Sequence, residues 1–228
     1  MKDPIVHSES PVLLVGGGET HPNALISALS AFSPVIAADG GADAILQCGH
    51  VPDAVIGDLD SLSAEARAAI PGPAIHRIAE QDSTDFDKCL RNIVAPLVVA
   101  HGFLGRRLDH QLAAMSVLVR RPDRRCLLVG AQDVVALAPP RLRLDLPQNS
   151  RLSLFPLAQV AGRSAGLRWP IDGLTFHPDG VIGTSNAVTG PVSLEFEKPG
   201  MIVILPIAAE PVFRTALLTA PATWPARA

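Results

Sequence analysis

The sequence predicts a mainly parallel-sheet α/β domain followed by a smaller all-β domain, and three observations lead there. From residue 11 to about 130, short apolar runs bounded by Gly and Pro alternate with segments of helical period, as when strands are joined through crossover helices. From about residue 131 Pro and Gly become frequent and the apolar pieces shorten. In that second stretch "RLRLDL" and "VSLEFE" alternate with period two, as half-buried antiparallel strands do. The division is expected near Pro139 and Pro140, giving domains of residues 1–138 and 139–228.

In chain order, the strand-like "PVLLVGG" precedes the helical "HPNALISALSAF", and "SPVIAADGG" precedes "DAILQCG". "DAVIGD" then leads to "SAEARAAI", and "AIHRIA" to "TDFDKCLRNIVA". In this last segment Phe86, Leu90, Ile93 and Val94 keep a helical period, and Thr84 with Asp87 is spaced like a capping box with Asp in place of Glu or Gln. "PLVVAHG", "LDHQLAAMSVLV" and "RCLLVG" complete the first half. The second half offers "DVVALAP", "RLRLDLP", "RLSLFPL", "GLRWPI", "GVIGTSN", "PVSLEFEKPG" and "MIVILPI", which suit a sandwich or a barrel. The tail from Ala208, ending "APATWPARA", is expected to be partly disordered.

The composition narrows the function classes. The 228 residues are 48% hydrophobic and 18% charged, enough to bury a sizeable core. A net charge of -3 gives no broad basic surface for a nucleic-acid backbone, so no nucleic-acid partner is expected. No apolar run approaches the roughly 20 residues that cross a bilayer, and "MKDPIVHSES" has no basic stretch leading into an apolar one. A cytoplasmic protein without a membrane partner is expected. Cys48, Cys89 and Cys126 have neither disulfide-framework nor zinc spacing and read as buried free thiols.

Acidic residues gather where strands should end: Asp39 after "VIAA", Asp58 and Asp60 after "AVIG", and Asp82 and Asp85 ahead of a helix. In open parallel sheets ligands bind beyond the carboxyl ends of the strands, so these carboxylates can converge and would then need a cation. On an extended segment Asp58 and Asp60 would face one side, and Mg²⁺ takes one or two carboxylates together with substrate phosphates. D-x-D is equally the sequence of a polar turn in which Asp60 or Ser61 caps a helix starting near Ser63. The helix start at Thr84 offers free N–H groups suited to phosphate, with Gln81, Asp85 and Lys88 beside it. "GFLGRRLDHQ" opens another helix, with Arg106 and Arg107 able to grip phosphate oxygens and Asp109 in the first turn. "VGGGET" lacks G-x-G-x-x-G and reads as a tight strand-to-helix turn. His50 and His101 read as ordinary loop histidines.

"AADGGAD", "VPDAVIGDLDS", "QDSTDFDKCL" and "GFLGRRLDH", in this order and followed by "GLRWPI" and "GTSN", resemble the thiamine pyrophosphokinases over about residues 11 to 205. The resemblance implies an α/β nucleotide domain followed by a β-sandwich, assembled as a homodimer with the active site at the subunit interface. It implies transfer of the pyrophosphoryl group of ATP to the hydroxyethyl oxygen of thiamine, giving thiamine diphosphate and AMP. Asp58, Asp60 and Asp85 match the carboxylates expected around Mg²⁺, and Asp39 should lie beside them. Gln81, Thr84, Lys88 and Arg107 match ATP-contacting positions, and Asp109 belongs to the same motif as Arg107. Asp85 or Asp109 could accept the alcohol proton. Ser185 and Asn186 match a pair near thiamine, with Trp169 a candidate for aromatic packing there.

The chain departs from the family pattern at Arg106, where Gly is usual, at Ala114, where Asn is common, and at Asp43, where Asn often follows DGGA. Transfer to another hydroxymethyl heterocycle, such as a pterin alcohol, would use the same phosphate machinery. A non-catalytic thiamine- or nucleotide-binding protein is the alternative from another class.

Overall fold

A computed structural model describes residues 3–105 and 107–227. The chain forms two compact units. One holds the residues up to Val117 together with Leu128–Ala131, and the other holds Leu118–Leu127 and the residues from Gln132 onward.

The first unit contains β1 (Val6–His7), β2 (Val12–Val15), α1 (Pro22–Ala31), β3 (Val35–Ala38), α2 (Gly41–Gln47), β4 (Ala54–Gly57), α3 (Ala64–Ala69), β5 (Ile75–Arg77), α4 (Asp85–Asn92), β6 (Ile93–Val94), β7 (Val98–His101) and most of α5 (Leu108–Arg120). β8 (Cys126–Val129) falls where the chain passes between the units. β7, β2, β3, β4 and β5 lie side by side in that order and run parallel. Every residue of β2, β3, β4 and β7 is buried, because helices cover both faces, and this is why these strands read as unbroken apolar runs. On one face Leu13, Val15, Ala37 and Val55 pack with Leu25 and Leu29 of α1, Ile45 of α2 and Ala66 of α3. On the other, α4 lies against β3 and β4, with Cys89 Sγ 3.6 Å from the Ile56 carbonyl oxygen. Each fully buried Leu or Ile here contributes about 2 kcal/mol.

The helix over "TDFDKCLRNIVA" ends one turn early. Ile93 and Val94 leave it as β6 and pair in parallel with Val6 and His7, so the apolar period at its end belongs to a strand. His101 is not a loop residue: it closes β7, 8% exposed.

The second unit contains β9 (Asp133–Leu137), β10 (Arg141–Leu144), β11 (Arg151–Pro156), β12 (Val160–Leu167), β13 (Thr175–Phe176), β14 (Gly183–Phe196), β15 (Met201–Pro206) and α6 (Glu210–Thr219). All its strand pairs are antiparallel among the described residues. β14 serves two groups of strands. Its start, Gly183 to Ala187, pairs with β11, which continues through β15 to β9, while the stretch from Val188 to Phe196 runs between β10 and β12. A strand that changes sheets at a bend is a means of building a β-sandwich. In β10 and the end of β14 the expected alternation holds: Leu142, Leu144, Val192, Leu194 and Phe196 are buried, and Arg141, Arg143 and Glu195 are exposed.

β9 pairs with β15 along its whole length, so Asp133–Leu137, which precede Pro139 and Pro140, lie with the strands of the second unit. The tail is also more ordered than its Pro- and Ala-rich sequence suggests. Phe213, Ala216 and Leu217 of α6 are buried, Arg125 donates to the carbonyls of Leu218 (3.1 Å) and Ala220 (2.7 Å), and Trp224 Nε1 donates to the Ala138 carbonyl at 2.8 Å. Among the described residues no helix is long and apolar enough to cross a membrane.

Candidate active site

After β5 the chain returns to lay β7 on the far side of β2, which makes the carboxyl ends of these strands a topological switch point. The loops that follow β2 and β7 meet there backbone to backbone. Gly18 N–H donates to the Gly102 carbonyl at 3.0 Å, and a Cβ on Gly18 would lie 2.4 Å from that oxygen. "VGGGET" is therefore the tight turn its sequence suggests, and contact with the opposite loop excludes a side chain at Gly18.

The acidic loops follow β3 and β4. One carboxylate oxygen from each of Asp39, Asp58 and Asp60 lies within 4.8 Å of the others. The backbone that achieves this is not extended. Asp39 has φ 43° and Leu59 has φ 69°, a left-handed conformation uncommon for non-Gly residues. β4 ends at Gly57, and Asp58 and Asp60 lie in a turn in which Asp60 N–H donates to Asp58 Oδ1 at 3.3 Å. The turn, and not strand alternation, brings the pair together. The cap of α3 is Ser63, whose Oγ accepts from Ala66 N–H at 3.0 Å, in place of Asp60 or Ser61. Ser61 Oγ donates instead to Asp60 Oδ1 at 3.0 Å. Asp43, one of the departures, bonds the Ser63 hydroxyl and so ties α2 to the start of α3.

Asp39 is 3% exposed. Its Oδ2 accepts from Ser61 N–H at 3.1 Å, while the buried Oδ1 has no hydrogen-bond partner among the described residues. Burial, reinforced by the charges of Asp85 and Asp58, pushes its pKa up to about 6. Three hard carboxylates, one with an orphaned buried oxygen, form a donor set that fits a divalent cation such as Mg²⁺.

Asp85 adjoins this group through Lys88. The Lys88 ammonium, 1% exposed, donates to Asp58 Oδ2 and Asp85 Oδ1, both at 2.9 Å. Burial disfavours its charge, but the two carboxylates outweigh that and hold its pKa above the usual lysine value. The Lys88 hydrogen bond, opposed by burial, holds Asp58 below the ordinary carboxylate range, and Gln81 Nε2 adds a bond to Asp58 Oδ2 at 3.2 Å. Thr84 caps α4 by accepting from Asp87 N–H at 3.3 Å. Asp87 also pairs with Arg91 at 3.3 Å, and Arg91 reaches Glu80 and Ser83, a brace across the loop before α4 that the sequence motifs did not reveal.

Arg107 and Asp109 are exposed and engage each other in a two-pronged pair, at 3.2 and 2.6 Å. The Arg107 hydrogen bond holds the Asp109 carboxyl below its usual range. Arg106 lies outside the described residues, and Ala114 is buried within α5.

In the second unit, Trp169 is 55% exposed and Asn186 is 7% exposed. Asn186 turns its amide to the Trp169 backbone, accepting from its N–H at 3.1 Å and donating to its carbonyl at 2.7 Å. Ser185 stands at φ 58°, with its N–H donated to Ser153 Oγ at 3.0 Å.

The profile described as "Thiamin pyrophosphokinase, catalytic domain" matches residues 26–128. "Thiamine pyrophosphokinase 1" of Arabidopsis thaliana is 28% identical over 158 residues, covering 61% of this chain and 59% of that protein. "Thiamine pyrophosphokinase" of Bacillus subtilis (strain 168) is 28% identical over 160 residues, covering 64% and 73%. The match thus spans about three fifths of the plant relative's length. The fold is that of "Thiamin pyrophosphokinase from Candida albicans" (TM-score 0.72, 17% identity, 88% of this chain and 93% of that one) and of yeast thiamin pyrophosphokinase (TM-score 0.72, 15% identity, 96% and 94%).

Proposed function

Because the chain belongs, through its α/β unit, to the thiamin pyrophosphokinase family, we propose that it transfers the pyrophosphoryl group of ATP to the hydroxyethyl oxygen of thiamine, releasing AMP. The observation that carries this reading is the meeting of Asp39, Asp58 and Asp60 beyond the parallel strands, with the buried Lys88 against Asp58 and Asp85. Asp39, Asp58 and Asp60, whose oxygens converge, would hold Mg²⁺ in place of the Asp58, Asp60 and Asp85 set that the motif match implies, and the ion when bound supplies neutralisation of phosphate charge.

The remaining work belongs to the chain's own side chains. Lys88 and Gln81 fix the Asp58 carboxylate. The free N–H groups at the start of α4, next to Thr84, face the charge of a phosphate favourably. Arg107 is already aligned in a two-pronged pair with a carboxylate and exchanges it for phosphate oxygens of ATP. Asp85, bonded to Lys88, and Asp109, released when Arg107 turns to phosphate, are the two carboxylates available to take the alcohol proton. Trp169, Ser185 and Asn186 form the thiamine side, and the protein works in the cytoplasm as a homodimer with the site at the subunit interface. Chemistry of this kind rests on positioning and electrostatics and needs no covalent intermediate.

The test incubates the purified chain with Mg-ATP and thiamine, or with a pterin alcohol, and identifies products by mass. Thiamine diphosphate with equimolar AMP is expected. A diphosphate of the pterin alone would move the reading to another heterocycle, and tight thiamine binding without AMP would make the protein a binder. Asp60→Asn should bind thiamine nearly normally while losing most turnover, and full activity of that variant at low Mg²⁺ would overturn the metal assignment. Light scattering at twice the chain mass of 23.9 kDa is expected for the dimer.

A further inference from the structure

We propose that Asn186 is a positioning residue that acts on the substrate only through Trp169, which it holds as a fixed aromatic platform. This rests on the thiamine reading above for the identity of the ligand, though not for the geometry.

β12 and β14 pair as far as Leu167 and Val188, and Arg168 N–H still donates to the Ala187 carbonyl at 2.9 Å. At the next step the backbone of Asn186 is committed to β11, opposite Leu152. Its side chain then serves the Trp169 backbone in place of the ladder: Oδ1 accepts from Trp169 N–H, and Nδ2 donates to the Trp169 carbonyl. Oδ1 also accepts from Ala187 N–H at 2.9 Å. Both lone pairs of the oxygen are used, and one amide N–H remains. A group occupied in this way is poorly suited to reading a substrate directly.

The same segment is held further along. Pro170 biases Trp169 toward extended backbone, Ile171 N–H donates to Ser164 Oγ at 3.0 Å, and Ser164 N–H donates to Asp172 at 3.2 Å. Upon this tied backbone stands a large ring left more than half exposed, with the Arg168 guanidinium carbon 5.2 Å from its centroid. Fixing a ring before the ligand arrives removes an ordering cost from binding. Arg168 occupies one face, so an aromatic heterocycle stacks on the other.

The test exploits the presence of only two tryptophans, Trp169 and Trp224. In a Trp224→Phe background, Asn186→Ala should lower the fluorescence anisotropy of Trp169. It should also raise KM for thiamine about tenfold, the scale of one or two lost hydrogen bonds, with KM for ATP little changed. Combined with Trp169→Ala, Asn186→Ala should add almost nothing to the thiamine KM, because its intermediary is gone. Effects that multiply, or an unchanged anisotropy, would overturn the proposal. Asn186→Asp keeps the acceptor but sets an oxygen against the Trp169 carbonyl, and it serves if the Ala variant does not fold. A parent protein that makes no thiamine diphosphate would sink the functional reading, while the anisotropy would still decide whether Asn186 holds Trp169.

Discussion

Asp39→Asn should make the cation-free protein more stable and at the same time inactive. In the folded protein the Asp39 carboxyl is raised from 3.8 to about 6 by burial, so the fold binds its proton more tightly than the unfolded chain does. Stability from this group is therefore highest below pH 3.8 and is lost as pH rises to about 6. A shift of about two pK units corresponds to about 3 kcal/mol at pH 7.5, and to about 1 kcal/mol at pH 4.5, where much of the difference has vanished. Asn can still accept from Ser61 N–H and can turn its amide toward the neighbouring carboxylates. The variant should therefore gain about 3 kcal/mol over the parent at pH 7.5 in chelator, and about 1 kcal/mol at pH 4.5.

The parent's own pH profile will conceal this effect. Burial depresses His101 from 6.5 to about 4, so the unfolded chain takes up that proton first and stability falls on acidification across nearly the same window. Only the difference between variant and parent isolates Asp39. Urea unfolding followed by circular dichroism at the two pH values measures it, with a Mg²⁺ titration by calorimetry showing the lost binding. An equal gain at both pH values, or none at pH 7.5, would refute the reasoning.

Lys88→Met removes a buried ammonium from two carboxylates whose side chains are 11% and 30% exposed. Their partial access to water limits the loss to about 2–3 kcal/mol, and added Mg²⁺ should recover part of it in the same urea assay. Trp224→Ala deletes a ring that is 9% exposed and a hydrogen bond to the Ala138 carbonyl. It should cost about 3 kcal/mol and increase proteolysis of the chain after Thr219, measured by mass spectrometry of the fragments.

What could be read in the sequence was whatever local spacing determines. Unbroken apolar runs marked β2, β3, β4 and β7 because both sheet faces are covered, and Thr84 showed itself as a cap because its partner lies three residues on. The acidic residues were legible as a group because each follows a strand and parallel strands end together. Their mutual arrangement was not, since it depends on left-handed backbone at Asp39 and Leu59, which no propensity announces. Nor could spacing show that Lys88, one turn from Asp85 on the same helix, also reaches Asp58, or that Asn186 spends its amide on Trp169, because both contacts join segments distant in the chain. α6 was missed for the opposite reason: its Pro- and Ala-rich flanks mimic a loose end, while Arg125 and Ala138, far upstream, anchor it.

The placement of Lys88 also bears on how such a protein comes into being in a cell. A pocket of bare carboxylates would be self-repelling as the chain first collapses, and folding would then depend on whatever divalent ion was at hand. With an ammonium borne on the helix that packs behind β4, the counter-charge is encoded in the polypeptide and arrives with it. Forming the fold and filling the carboxylate cluster with a cation can on this arrangement be separate events, because Lys88 already neutralises part of the cluster's charge.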